Sequence, residues 1–126
     1  MPGSSESSSS SRQFSDTPSP RRLLSSSKVY EDDQVLAFHD INPLAPVHIL
    51  VIPKGSYVSW DDFSEKASDA EIAGLTRAIG KIARDAGLVP QGYRVLANIG
   101  LRGGQEVPHL HVHIFGGQPL GPMLAR

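Results

Sequence analysis

Three of the five histidines in the chain alternate with apolar residues near its C-terminal end. The histidines are His109, His111 and His113, and the apolar residues that follow them are Leu110, Val112 and Ile114. Because successive side chains of a β-strand point to opposite faces, this spacing predicts three imidazoles on one face and three apolar side chains beneath a helix on the other. A simply solvated strand face is the plainest alternative, but such faces usually carry Thr, Ser, Lys or Glu.

A metal site is one interpretation of this cluster, because imidazole is the commonest zinc ligand. At a rise of about 3.3 Å per residue the α-carbons of His109 and His113 lie roughly 13 Å apart, whereas each ligating nitrogen must lie about 2.0–2.1 Å from zinc. Two of these histidines with a ligand from elsewhere, such as His48, would fit one ion better than all three.

Phosphoryl or nucleotidyl transfer is the interpretation that the chemistry favours. A neutral imidazole, with a reference pKa of about 6.5, can attack phosphorus without a thiol or a metal. The preceding loop contains Gly103 and Gly104, whose backbone N–H groups can approach an anion closely, and Gln105 adds a neutral side-chain donor. Glycine pairs are usually ordinary turns, but this one leads directly into the histidines and indicates a phosphate cradle.

Composition excludes several other classes of protein. The chain has 126 residues, which is enough for one domain, and its 12 Lys+Arg against 13 Asp+Glu give no basic surface for a nucleic-acid backbone. The absence of cysteine excludes a disulfide scaffold and thiol catalysis, so we expect a cytoplasmic protein. The longest apolar run, 45–53, is interrupted by His48 and is far shorter than the roughly 20 residues that span a bilayer, so no membrane partner is expected.

Residues 1–27 differ in composition from the rest of the chain. They contain 12 serines and 3 prolines, and apart from Met1 their apolar side chains are Phe14, Leu23 and Leu24. Such a segment buries too little apolar surface to offset the entropy of ordering, so it is predicted to be a disordered tail before a domain at 28–126. An organelle-targeting role is weakly indicated by the Ser and Arg content and opposed by the acidic residues.

Four strands and one helix are predicted within the domain. The apolar runs 35–39 and 48–52, separated by the turn residues 40–43, favour two antiparallel strands, and 93–99 and 109–115 favour two more, joined by the loop 100–108. Apolar residues at helical spacing predict a helix over 69–86, with Ser68 and Glu71 as a capping box and Gly87 as the stop: Ile72, Leu75, Ile79, Ile82 and Ala86. The expected fold is α+β, an antiparallel sheet with one main helix packed on it.

Residues 103–115 resemble the signature of the histidine triad (HIT) family, His-x-His-x-His followed by apolar residues. The likeness extends through 37–43 and 46–54 upstream and through 116–117 and 120–123 downstream. It covers the chain from about Lys28 and is greatest for the histidine triad nucleotide-binding branch. Members of that branch are homodimeric purine nucleoside phosphoramidate hydrolases with an antiparallel HIT fold, so the resemblance implies a two-fold dimer.

The resemblance also implies roles for individual residues. His111 matches the family nucleophile, which attacks the α-phosphorus and forms a nucleotidyl-histidine. His109 and His113 match residues that flank the phosphate and the leaving group, and His48 matches a fourth histidine that supports them.

Further positions match the nucleotide pocket of the family: Asp40, Ile41, Asn98, Gly104, Gln105 and Glu106. Asp40 would accept the ribose hydroxyls, although Asp is also a common turn residue, and Asn98 could be a polar residue at a strand end. Glu106 stands where some relatives have Ser, and as a carboxyl with a raised pKa it could act as a general acid. The segment before Lys28 lacks the apolar helix with which many members close the base pocket.

The sequence therefore predicts a metal-independent enzyme that needs no cofactor. It would hydrolyse purine nucleoside 5'-phosphoramidates by double displacement through His111, with a purine nucleotide as substrate. Three alternatives remain: a dinucleoside polyphosphate hydrolase or nucleotidyltransferase, a nucleotide-binding interaction module with vestigial catalysis, and a metal-dependent hydrolase.

Overall fold

The computed structural model describes residues 27–124. The predicted tail therefore lies, except for Ser27, outside the described residues, and its disorder stays a prediction. Within the described part of the chain, no helix is long and apolar enough to cross a membrane.

The described chain forms a five-stranded antiparallel sheet and three helices. In chain order the elements are β1 (Lys28–Glu31), β2 (Val35–His39), β3 (Val47–Pro53), α1 (Trp60–Lys66), α2 (Asp69–Asp85), β4 (Arg94–Leu96), α3 (Gly100–Gly103) and β5 (Val112–Gly116). The strand order is β1-β2-β3-β5-β4, so β3 and β5 lie side by side in the middle of the sheet. The predicted α+β class, with one long helix on an antiparallel sheet, is confirmed.

One face of the sheet packs on α1 and α2 and is called the helix face. Its buried residues come from alternate strand positions and from the helices, as period-two and period-3.6 patterning require: Val35, Ala37, Ile49, Val51, Val112, Ile114, Phe63, Leu75, Ala78 and Ile82. Leu110 belongs to the same cluster. The predicted burial of the three apolar residues of the histidine segment is therefore confirmed.

The opposite face, called the histidine face, carries the even-numbered residues of β2 and β3. Leu36, Phe38 and Ile52 form a small buried apolar cluster there, with Leu50 packed against it. Since Leu50 pairs with His113 across β3 and β5, this cluster adjoins the histidines directly.

Helix α2 begins as predicted. The side chain of Ser68 accepts from the N–H of Glu71, and the carboxylate of Glu71 accepts from the N–H of Ser68. The helix ends at Asp85, with Ala86 as its C-cap and Gly87 at φ +74°, so the predicted boundary is one residue too long. A left-handed residue after the C-cap is the position where glycine is least strained.

Removing the cap hydroxyl tests how much this helix start contributes. We expect Ser68→Ala to lower the free energy of unfolding by about 1 kcal/mol, because the N–H of Glu71 loses its acceptor. Urea unfolding measures the change. Ser64→Ala is the matched control, since that hydroxyl only donates to a carbonyl within α1 and should contribute within about 0.5 kcal/mol. Equal losses in the two variants would contradict the assignment.

Several predicted boundaries were wrong. β5 begins at Val112 rather than His109, because Pro108 has no N–H and the N–H of Leu110 donates to the carbonyl of Tyr57 instead of a neighbouring strand. β4 ends at Leu96, which pairs with His113, rather than at residue 99, because residues 98 and 99 would face His111 and Leu110, which precede β5.

The prediction also missed three elements: β1, α1 and α3. A signal for α1 is present in the sequence, because Ser59 and Asp62 form a capping box at its start. β1 is a short, largely exposed edge strand, and α3 is a single turn within the predicted loop.

Candidate active site

The rings of three histidines meet on the histidine face, where β3 lies beside β5, and His109 contacts one of them through its backbone carbonyl. His48 is on β3 opposite Phe115, and His113 is on β5 opposite Leu50, so the two imidazoles are diagonal neighbours with ring centroids 5.2 Å apart. The ring of His111 is 5.1 Å from that of His113. The segment that precedes β5 therefore continues the alternation of the strand even though it lies outside the ladder.

His111 is held by its own backbone. Its Nδ1 lies 2.8 Å from the carbonyl oxygen of His109. A carbonyl can only accept, so Nδ1 carries the proton and donates, and a neutral His111 keeps its lone pair on Nε2. Burial lowers the pKa of His111 below its ordinary value, which keeps the ring neutral at pH 7. The arrangement leaves a neutral imidazole nitrogen available for nucleophilic attack.

His109 is fixed by a different bond. Its Nε2 donates to the carbonyl of Pro53 at 3.0 Å, which ties the start of the histidine segment to the end of β3. Between the two histidines, Leu110 is fully buried and its N–H donates to Tyr57. The backbone around His111 is therefore anchored on both sides.

His48 and His113 form a buried hydrogen-bonded pair. Nε2 of His48 lies 2.9 Å from Nδ1 of His113, and Nδ1 of His48 lies 3.1 Å from the N–H of Leu44. His48 is the one buried polar residue of the described chain. Nε2 of His113 is also buried and has no hydrogen-bond partner among the described residues. A buried polar atom left in this state is typical of a functional site.

Burial keeps these two imidazoles neutral as well. It lowers the pKa of His48, against the attraction of the Asp40 carboxylate. Burial, followed by repulsion from charge on His111 and His48, lowers the pKa of His113 to about 3. The rings of His48, His111 and His113 are therefore uncharged at neutral pH.

A pKa this low makes the fold sensitive to acid. Because His113 binds a proton more weakly in the folded chain than in the unfolded chain, its contribution is complete above about pH 6.5 and is lost as the pH falls towards 3. At pH 5 the loss from His113 is about 2 kcal/mol. We expect His113→Gln to lose less free energy of unfolding than the wild type between pH 7.5 and 5, measured by urea unfolding.

The exposed His39 supplies the control for this measurement. It lies at the end of β2 and pairs with Ile49, so its side chain is on the helix face of the sheet and away from the other histidines. His39→Gln should show the acid loss of the wild type. If both variants lose the same free energy, burial of His113 is not the cause.

Asp40 lies beside this pair. Its Oδ1 accepts from the N–H of Asn42 at 2.8 Å, which is the turn role, and its Oδ2 lies 3.5 Å from Nε2 of His48. Both interpretations of the residue are thus compatible with the structure, since each uses a different oxygen. Ile41 follows with 52% of its surface exposed, and Asn98 lies half-buried two residues after β4.

The glycine loop is shaped differently from the predicted cradle. Gly104 adopts φ +81°, and its N–H donates to the carbonyl of Leu101, while the N–H of Gln105 donates to Gly100. These two amides close the turn after α3 and are not free to bind a phosphate in this conformation.

The side chain of Gln105 is likewise committed to the protein. Its Oε1 accepts from the N–H of Gly100, and its Nε2 donates to the carbonyls of Val58 and Val107. The Gln105 side chain, predicted to be a free donor to phosphate, instead holds the loop in place in this structure. Glu106, which follows it, is exposed and forms no ion pair among the described residues.

A possible metal-binding group differs from the one that the sequence indicated. Asp40, His48 and His113 each offer a ligand atom, and these atoms all lie within 4.8 Å of one another. The spacing fits a cation, but Nε2 of His48 and Nδ1 of His113 already share a hydrogen bond, and Nδ1 of His48 is taken by Leu44. A metal would have to displace that proton, so the donor set fits poorly.

Sequence reasoning did not find Leu44, because its contribution is a backbone N–H that no residue type signals. It did find all four histidines and Asp40, and the structure brings the side chains of Asp40, His48, His111 and His113 together, with His109 beside them through its carbonyl. Ile41 and Asn98 are adjacent in sequence or element to this group, but no contact of theirs with the histidines is observed.

Comparisons with known proteins agree with this geometry. The HIT domain family model matches residues 21–120. A 13.2 kDa HIT-like protein of Azospirillum brasilense is 62% identical over 99 residues, which are 79% of this chain and 81% of that protein. The purine nucleoside phosphoramidase of Escherichia coli (strain K12) is 46% identical over 105 residues, 83% of this chain and 87% of the relative.

Solved structures resemble the fold as well. A histidine triad protein from Clostridium difficile has a TM-score of 0.69 at 48% identity, over 79% of this chain and 85% of that one. A HIT family hydrolase from Clostridium thermocellum has a TM-score of 0.70 at 38% identity, over 83% and 90%. Together with the family-model match and the clustered histidines, these likenesses show that the chain belongs to the histidine triad family.

Proposed function

We propose that this protein is a hydrolase that cleaves the P–N bond of purine nucleoside 5'-phosphoramidates. The observation that carries the proposal is the tautomer of His111, which directs its proton to the carbonyl of His109 and leaves Nε2 as a neutral nucleophile. The similarity to the Escherichia coli purine nucleoside phosphoramidase supports the substrate class, and the similarity to the HIT family hydrolase of Clostridium thermocellum supports hydrolysis.

The proposed reaction is a double displacement. Nε2 of His111 attacks the α-phosphorus, a P–N(histidine) bond forms, and the P–N(amine) bond breaks as the amine leaves with a proton. Water then attacks the same phosphorus, the P–N(histidine) bond breaks, and a nucleoside monophosphate is released. His111 returns to its neutral form, and the proton that the water gives up restores the carboxyl group of Glu106.

The neighbouring groups stabilise charge in this scheme. The buried Nε2 of His113, which has no partner in the described chain, would donate to a phosphoryl oxygen. Asp40 keeps Oδ2 available beside the histidines and would accept from the ribose hydroxyls, while Glu106 would protonate the departing amine. The roles predicted for Ile41 and Asn98 belong to this proposal as well, whereas Gly104 and Gln105 would first have to release the hydrogen bonds that they form within the protein.

The same contacts support the proposal that the reaction is independent of metal. The nitrogens of His48 and His113 that could ligate a cation are used within the protein, and a neutral imidazole needs no Lewis acid to attack phosphorus. The proposed enzyme therefore requires no cofactor.

Release of AMP from adenosine 5'-phosphoramidate in excess chelator tests the proposal. We expect turnover that chelation does not change. Activity that needs an added divalent cation would favour the metal-dependent alternative, and tight AMP binding with no turnover would favour a binding module. Faster cleavage of diadenosine polyphosphates than of the phosphoramidate would assign the protein to the dinucleoside polyphosphate hydrolases.

The proposal includes a homodimer. β4 is an edge strand of the sheet, and exposed apolar side chains lie on it and near it: Tyr93, Val95, Ile99 and Leu101. An edge strand with apolar neighbours is suited to pairing with a second copy. Sedimentation equilibrium should give twice the chain mass, and Val95→Lys should shift the protein towards the monomer.

A further inference from the structure

A row of hydrogen bonds enters the site from the loop after β2. The N–H of Leu44 lies 3.1 Å from Nδ1 of His48, and Nε2 of His48 lies 2.9 Å from Nδ1 of His113. A backbone N–H can only donate, so Nδ1 of His48 must be the accepting nitrogen. A neutral His48 then carries its proton on Nε2.

The same rule applies to the next bond. Because Nε2 of His48 donates, Nδ1 of His113 must accept, and a neutral His113 carries its proton on Nε2. That atom is the buried one without a partner. The Leu44 amide thus determines, two rings away, whether His113 offers a proton or a lone pair.

The electrostatics favour the same tautomer of His48, with its proton on Nε2. The carboxylate oxygen Oδ2 of Asp40 is 3.5 Å from Nε2 of His48 and attracts a proton on that nitrogen. Burial disfavours charge on both rings, so the tautomers, and not the ionised forms, decide what the site presents at neutral pH.

The two possible tautomers of His113 have opposite chemical consequences. With the proton on Nε2, His113 donates to an anionic phosphoryl oxygen. With the proton on Nδ1, it would present a lone pair to that oxygen and repel it.

We propose that the backbone N–H of Leu44 is a positioning group that fixes the tautomers of His48 and His113, so that neutral His113 presents an N–H donor at Nε2. The tautomers assigned to His48 and His113 do not depend on which reaction the protein catalyses. Its effect on turnover rests on the proposed phosphoramidase activity.

Nitrogen NMR on the wild-type protein labelled with ¹⁵N-histidine tests the order directly. The chain has five histidines, so the ring signals can be assigned with single His→Gln variants. At pH 7.5 we expect protonated Nε2 on both His48 and His113 and protonated Nδ1 on His111. Protonated Nδ1 on His48, or unprotonated Nε2 on His113, would overturn the proposal.

Two substitutions at Leu44 separate its N–H from its side chain. The side chain is 77% exposed, so Leu44→Ala should keep the wild-type tautomers and rate. Leu44→Pro removes the N–H, and since one hydrogen bond is worth up to about tenfold in an equilibrium, the ratio of tautomers should shift by that factor for both rings together. Under the proposed function kcat should fall about two- to tenfold, with KM changed less than about twofold.

The outcomes distinguish this inference from the proposed function. Wild-type tautomers in a folded Leu44→Pro variant would overturn the positioning role. If Leu44→Pro does not fold, the wild-type spectrum alone decides. The expected tautomers in a protein that does not cleave phosphoramidates would disprove the proposed function and leave the proton order standing.

Discussion

Replacing His111 with alanine should lower kcat for adenosine 5'-phosphoramidate by at least about 10⁴, which corresponds to some 5 kcal/mol or more of barrier. In the wild type, Nδ1 of His111 donates to the His109 carbonyl, so Nε2 carries the lone pair that attacks phosphorus. The alanine variant lacks this nitrogen. Water would then have to attack the substrate directly. Steady-state release of AMP measures the effect.

The same experiment includes two controls. His39→Ala removes an exposed imidazole of β2 and should retain the wild-type rate. Trapping of a protein-bound nucleotide after rapid acid quench should succeed with the wild type and fail with His111→Ala. Turnover of the His111 variant within tenfold of the wild type would disprove the nucleophile assignment.

His113→Ala is expected to lower kcat by about 10²–10³, the usual cost of losing one donor to a developing oxyanion. The ring is half-buried beside His111, and its Nε2 is the buried polar atom without a partner. KM should change much less than kcat, because the donor binds more strongly as charge develops on phosphorus.

The variant His113→Gln separates the donor from general packing. Its amide can donate, so it should recover part of the lost rate, while Leu50→Ala, which alters the apolar side chain opposite His113, should affect stability more than kcat. Equal kcat values for His113→Ala and the wild type would show that His113 contributes no donor.

Periodicity accounts for what the sequence could predict. The alternation from Leu110 to Ile114 specified which side chains enter the core, and the Ser68–Glu71 pair specified where α2 begins, because each depends on neighbours in the chain. Residue type and spacing were enough to nominate His109, His111 and His113, whereas Asp40 and the supporting role of His48 came from the resemblance to the family.

Contacts between distant segments account for what it could not predict. The late start of β5 depends on the N–H of Leu110 meeting Tyr57, a residue far away in sequence. The role of Gln105 as a brace depends on Val58, and the tautomer of His48 depends on a backbone amide. None of these partners is marked by composition or spacing, because each arises only when the sheet and loops have assembled.

The position of Leu110 couples the interior of the protein to its chemistry. This fully buried residue lies between His109 and His111, in a segment that is not part of the strand ladder. His111, the proposed nucleophile, is therefore held by the packing of Leu110 and by hydrogen bonds to backbone carbonyls rather than by strand pairing, and local unfolding of this segment can release it while the sheet stays intact. Substitutions at Leu110 are therefore expected to lower activity at temperatures where the global fold is still fully populated.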